Sequence, residues 1–443
     1  MVSGEVSLIL LLIAVILIVV ATGKYRVNAF FVLISVAFGY GLSIGMAPLD
    51  VVKAVREGFG GTLTYIGIVI VAGTIMGYIL EKTGAALVMT RAILGLVGQN
   101  RAPLAMNIAG YIVSIPVFCD SGYVILTPLN KALSVESKTS MAVMAVALST
   151  GLYATHTMVP PTPGPLAAAA ALKADLGLVI FYGLIAAVPS ALAGFFWAKH
   201  FGRKYDIKPD VEESYSSLLE KYGKLPGTFM SFLPIILPIV LILLKSVTNF
   251  PTRPFGTGPL AKTLDFIGDP VSALMLGVVC SLFLVPRKEF GQALDGWMGH
   301  GIRDAAIILT ITGAGGSFGR VLAASPMKDF IGSTLSTMNL GLLLPFIISA
   351  ALKTAQGSST VAIITTAAIM APLTASMGIN PALTAVVIGA GSMVVSHAND
   401  SYFWVVSQFS NMPVNVAYKI YTTATLMQGV VAFTACYILS LFI

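Results

Sequence analysis

Forty-six consecutive residues, 354–399, contain no Asp, Glu, Lys or Arg. That length exceeds the roughly 20 residues with which one helix crosses about 30 Å of hydrocarbon, even when tilted. The stretch opens TAQGSSTVA, closes VVSHAN just before Asp400 and holds Pro372 and Pro381. Thr, Gln, Gly and Ser suit a turn better than a lipid-facing helix, and non-helical backbone at membrane depth is tolerated only where protein or a water-filled cavity meets it. The economical reading is a re-entrant hairpin with its tip at residues 356–360, followed by a helix interrupted near 396–401.

Uncharged apolar runs recur elsewhere, at residues 6–22, 58–80, 176–198, 229–244, 270–286 and 422–443. With only 10% charged residues in 443, the chain lacks the polar surface of a soluble domain, where about 25% is usual. Strand-length alternation is missing, which excludes a transmembrane barrel. The expectation is an all-α polytopic membrane protein. No basic residue precedes run 6–22 and no small-residue cleavage site follows it, so it reads as a retained helix. Cys119, Cys280 and Cys436 are scattered within apolar segments and form neither a disulfide framework nor metal spacing. No metal or cofactor is expected.

Residues 199–228 form the one long polar stretch and separate two transmembrane halves, 1–198 and 229–443. Assigning this linker to the cytoplasm places 14 Lys and Arg inside and about 6 outside, as the positive-inside rule favours. The basic residues lie between helices, so the +7 charge is a topology signal and not a nucleic-acid footprint. The halves share spacing. Gly73, Gly77 and Leu80 recur as Gly315, Gly319 and Leu322, each 242 further on; His156 recurs as His397 at 241, and Pro128-Leu129 as Pro372-Leu373 at 244. In this topology the related segments run in opposite directions, which predicts two inverted repeats. The first half should therefore have its own hairpin, with a tip at 120–122, and its own broken helix at 156–165. There Pro160, Pro161, Pro163 and Pro165 cannot sit in a continuous helix.

Four such breaks would gather half-helix N-termini, whose amides and positive dipole ends attract anions. A small carboxylate is the substrate class this suits. Candidate ligands are Ser121, Gly122, His156, Thr157, Thr162, Gly164, Gln356, Gly357, Ser358, Ser359, Thr360, His397, Asn399 and Ser401. Asp120 and Asp400 are acids between apolar runs, and intramembrane acids are functional by default, here as proton carriers. Glu81, Arg320 and Lys353 read as helix-end residues at the interface. An intramembrane hydrolase using Asp120, His156 or the serines finds little support, because HExxH is absent and the serines have no evident paired base.

The segments EGFGGTL, IPVFCDSGYVIL, THTMVPPTPGPLAAA, GAGGSFGRVL, TAQGSSTVA and SHANDSYFWVV, in this order, closely resemble the gluconate permease (GntP) family. The resemblance implies a bacterial inner-membrane symporter coupling protons to uptake of gluconate or a related sugar acid; some relatives take D-serine, fructuronate or idonate. It also implies kinship with the ion-transporter superfamily, whose paired hairpins and broken helices form the site, and by that kinship a homodimer. Sodium-coupled members carry Ser-Asn-Thr at the hairpin tips. Here the tips read Asp-Ser-Gly and Gly-Ser-Ser-Thr, a departure that argues against a sodium site, although sodium coupling remains the alternative on the same architecture.

Overall fold

A computed structural model describes residues 2–25, 27–98, 101–210, 225–249, 253–326, 340–398 and 400–443. Helices of eight or more residues are numbered in chain order: α1 Gly4–Val19, α2 Ala29–Ser43, α3 Pro48–Lys82, α4 Ala85–Val97, α5 Ala102–Val113, α6 Cys119–Glu136, α7 Met141–Met158, α8 Pro163–Ala171, α9 Leu176–Phe201, α10 Thr228–Thr248, α11 Pro259–Ile267, α12 Pro270–Leu282, α13 Met298–Ala323, α14 Leu343–Gln356, α15 Ser359–Thr374, α16 Pro381–Gly391, α17 Ser401–Phe409 and α18 Thr423–Ser440. Among the described residues there is no strand.

Local chemistry sets the helix starts. Ser140 and Asn380, 240 residues apart, accept the backbone N–H groups of Ala142 at 3.2 Å and Ala382 at 2.9 Å, capping α7 and α16. Asp175 caps α9 through Leu178 N–H at 2.8 Å. Asp269 caps α12, whose first residue is Pro270, where the missing N–H costs nothing. Every residue of α7 is buried, and so is every residue of α16 after Pro381. By contrast α1 exposes Ile9, Leu12, Ile13, Ile16 and Leu17. Apolar residues outside and polar ones within is the pattern that hydrocarbon selects.

The repeat spacing reappears as packing. A Cβ on Gly151 would lie 2.0 Å from the carbonyl O of Asn107, and one on Gly391 would lie 2.5 Å from that of Phe346. Gly194 meets Thr150 and Gly429 meets the carbonyl of Ala390. In both halves, therefore, the broken helix is flanked by the first hairpin helix and a later long helix, α9 or α18, with glycine at each close approach. The related helices also cross antiparallel. Along α3 and α13, Ser317 Oγ donates to Val55 O at 2.9 Å, Gly313 abuts Phe59, Gly301 abuts Ile75 and His300 stacks on Tyr78 at 5.3 Å, so numbers rise on one helix as they fall on the other. Tyr153 Oη reaches Ser392 O at 3.2 Å and Gly389 abuts Thr157 O between α7 and α16. Ser190 bonds Gln428 O at 3.2 Å and Trp197 bonds Thr423 at 3.0 Å between α9 and α18.

Two expected boundaries move. α9 runs through Phe201, past the expected linker start at 199, because Lys199 and His200 suit the negative end of a helix dipole. The following residues are tied down too: Met141 N–H donates to Ile207 O at 2.9 Å and Lys131 pairs with Asp210 at 2.6 Å. Residues 211–224 of the expected linker lie outside the described residues. The first hairpin turns at residues 114–118 and not at 120–122. Pro116 lacks an N–H and pushes its predecessor out of the helical region, which fixes the turn there. Asp120, Ser121 and Gly122 consequently occupy the first turn of α6.

Candidate functional site

The second hairpin turns on Gly357, at φ 92°, and Ser358, whose side chain accepts Val361 N–H at 3.3 Å and caps α15. A positive φ is the region that glycine enters without a Cβ clash. One turn before it, on the last turn of α14, stands Lys353. It is not at an interface, as its position in the sequence suggested. Its side chain has 0% exposure, that of Asp400 has 7%, and Nζ lies 2.8 Å from Asp400 Oδ2. Interfacial lysines snorkel to water; Lys353 cannot, because α14 ends inside the protein.

Asp400 is fully engaged. Besides Lys353, its Oδ2 accepts Ser396 Oγ at 2.5 Å and its Oδ1 accepts Tyr402 N–H at 3.0 Å, which caps α17. Tyr421 Oη lies 3.2 Å from Ser396 Oγ. Asp120 is different. Among the described residues its Oδ1 is buried with no partner, and its Oδ2 faces the thiol of Cys119 at 3.9 Å. Asp120 lies within Coulomb range of both Asp400 and Lys353. The first hairpin, the second hairpin and the break that follows it thus bring Asp120, Lys353 and Asp400 within electrostatic reach of one another, the ion pair buried and Asp120 half-buried.

The histidines do not play matched parts. His397 Nε2 is 2.9 Å from Thr354 O, tying the second break to α14. The equivalent tie in the first half comes from Thr155, whose hydroxyl donates to Tyr111 O at 2.9 Å. His156, one residue on, is buried against Phe118 with Nδ1 unpartnered. It sits at the end of α7, and the actual break is residues 159–162. Thr157 and Thr162 spend their hydroxyl protons on the carbonyls of Tyr153 at 3.1 Å and Val159 at 2.6 Å.

Gly122 and Gly164 sit at close approaches. A Cβ on either would lie 2.7 Å from Leu152 Cδ2 or Ile363 Cδ1, respectively. Ser359 hydrogen-bonds Tyr153, and Ser121 and Thr360 are half-buried. Ser401 opens α17 with its side chain exposed. Asn399 and the side chain of Gln356 lie outside the described residues. Two of the four helix N-termini at the hairpins and breaks hold an acid of their own, Asp120 and Asp400, and Pro163 and Pro165 deprive a third of donors.

The sequence profile of the GntP family permeases matches residues 6–442. The chain belongs to the GntP permease family. Among its relatives, the D-serine transporter DsdX of Escherichia coli O6:H1 is 34% identical, the match covering 98% of each chain. The gluconate permease of Pseudomonas aeruginosa is 33% identical over 97% of this chain and 96% of its own. The crystal structure of the Alcanivorax borkumensis YdaH transporter shares the fold, with TM-score 0.67 and 14% identity over 94% of this chain and 99% of that one.

In this GntP permease the hairpins and broken helices are accordingly features of a multi-pass membrane transporter. Two G-x-S-x-G spacings, residues 41–45 and 315–319, lie at the end of α2 and inside α13, and not at the strand-to-helix turn that a nucleophile elbow requires. Ser317 is instead a packing residue bonded to Val55 O. Sequence reasoning missed Lys353, Tyr153, Ser396 and Tyr421 as members of the cluster. For Lys353 a signal existed: it is the last charge before the 46-residue neutral stretch. For the others nothing local distinguished them.

Proposed function

We propose that this permease imports a small hydroxylated monocarboxylate, gluconate or a near relative, together with a proton, across a bacterial inner membrane. The observation that carries the reading is the charge imbalance of the buried cluster, two carboxyls against one ammonium. One proton neutralises it, and unneutralised charge at that depth is costly. Of the two acids, Asp120 is the proton carrier, since it has an unpartnered oxygen while Asp400 is committed to three donors. The relatives named for gluconate and D-serine point to one shared chemistry, a carboxylate with hydroxyl nearby.

The α14–α15 tip, residues 356–360, and the end of α7 at His156 would receive those groups. Antiparallel crossing of α3 with α13, α7 with α16 and α9 with α18 supports inverted repeats, the architecture that offers two mirror-related open states. The test is uptake of labelled gluconate into proteoliposomes with and without an inward proton gradient, in sodium and in choline. Uptake should follow the proton gradient in both salts. Indifference to the gradient, or arrest in choline, defeats the proposal.

A further inference from the structure

The two ends of the buried ion pair differ in how far their bonding capacity is used. Asp400 accepts from Lys353, Ser396 and the backbone of Tyr402. Lys353 has three N–H donors, and among the described residues Asp400 is its one acceptor. Buried donors are ordinarily satisfied, and charged ones most of all. The first half shows that the fold does not need an ion pair here. At the position matching Lys353, 242 residues earlier, stands Tyr111, whose hydroxyl bonds Leu184 O at 2.8 Å. A neutral tie thus holds one hairpin, while a charged pair with spare donors holds the other, beside the proposed proton carrier.

We infer that Lys353 is the anchor for the substrate carboxylate, which joins Asp400 on the ammonium when the site is loaded. The inference rests on the reading of the chain as a proton–monocarboxylate symporter. Counting Asp120, Asp400 and Lys353, the empty site carries −1, the protonated site 0, and the site with proton and monocarboxylate −1 again. Anion without proton would put −2 in the same buried volume, so the carboxylate binds to the protonated site. The other titratable groups that face the cluster, Cys119, Tyr153, His156, Tyr402 and Tyr421, enter this count without formal charge.

The test uses the full-length chain purified in detergent, read by thermal unfolding without ligand and by equilibrium binding of labelled gluconate, labelled D-serine and the uncharged amide of gluconate. Lys353→Met alone strands a buried carboxylate, so it is paired with Asp400→Asn to remove both charges. The double variant should unfold near the parent temperature. It should bind the carboxylates about tenfold or more weakly, the scale of one lost charge-assisted hydrogen bond, with its binding of the amide unchanged. Asp400→Asn alone should bind gluconate at least as tightly as the parent, because the ammonium loses its competitor. A folded double variant with parental carboxylate affinity, or weaker binding by Asp400→Asn, overturns the inference and leaves the symport reading standing. A double variant that does not fold leaves Asp400→Asn to decide. A parent that binds neither gluconate nor D-serine overturns both.

Discussion

Replacing Asp120 by asparagine keeps the shape of the side chain and removes its proton. The remaining buried charges, Lys353 and Asp400, then sum to zero, the same total as the protonated parent. Asp120→Asn should therefore bind substrate at any pH but lose coupling. The size of the loss follows from the charge count. One proton moving down a one-unit pH difference releases about 1.4 kcal/mol, which supports about tenfold accumulation of its partner. Because the load is a proton plus a monoanion, no net charge moves, and a membrane potential worth about 2.3 kcal/mol per charge per 100 mV should add nothing. The assay is accumulation of labelled gluconate in proteoliposomes with the pH difference imposed and the potential clamped separately by potassium and valinomycin. The parent should concentrate gluconate about tenfold per pH unit and ignore the potential, while Asp120→Asn should only equilibrate it and keep full exchange of internal for external gluconate. A variant that still accumulates, or a parent driven by potential, refutes the role of Asp120 and the one-to-one count.

Glycine at the matched close approaches should be irreplaceable. Gly151→Ala sets a Cβ 2.0 Å from the backbone oxygen of Asn107 and Gly391→Ala sets one 2.5 Å from that of Phe346, so each should lower thermal stability, whereas Gly39→Ala, with nothing within 4 Å, should not. Overpacking of this kind costs about 1–3 kcal/mol, more where backbone must move. At the start of the linker, a hydrogen bond from Lys131 holds the carboxyl of Asp210 below the usual carboxylate range. A depressed value means that the stabilisation is present above the unfolded-state value near 4 and is lost as pH falls below it. With 59% of the Asp210 side chain exposed, solvent screening should keep the effect of Asp210→Asn under about 1 kcal/mol at pH 7 and make it smaller at pH 3, measured by thermal unfolding.

Much of the site was legible because its signals are local. Pro160 and Pro161 stop α7 wherever the chain goes, Pro163 and Pro165 fit the first turn of α8, and the break at residues 159–162 follows. Gly357 in a run of small polar residues marked the turn of the second hairpin. The first hairpin was misplaced because Asp120 drew attention as an acid, while Pro116, four residues earlier, controlled the backbone. Gly122, Gly164, Thr157 and Thr162 looked like ligands from their neighbourhood. In the structure Gly122 and Gly164 pack closely and Thr157 and Thr162 bond back to carbonyls just before them in the chain, contacts that the sequence alone does not reveal.

Taken alone, the sequence determined what depends on transfer to lipid and on backbone chemistry over a few residues: an all-α membrane chain, two halves that share motifs at a spacing near 242, and the breaks marked by Pro160-Pro161 and by Gly357. Hydropathy and proline act without regard to distant partners, so no folded structure was needed to read them. Only the tertiary structure decided which polar groups meet. Lys353 and Asp400 are 47 residues apart, Asp120 lies 280 before Asp400, and each could have been an interfacial side chain by sequence. Their meeting depends on how the hairpins and broken helices pack, through glycine contacts spread across the whole chain, and no local rule encodes that.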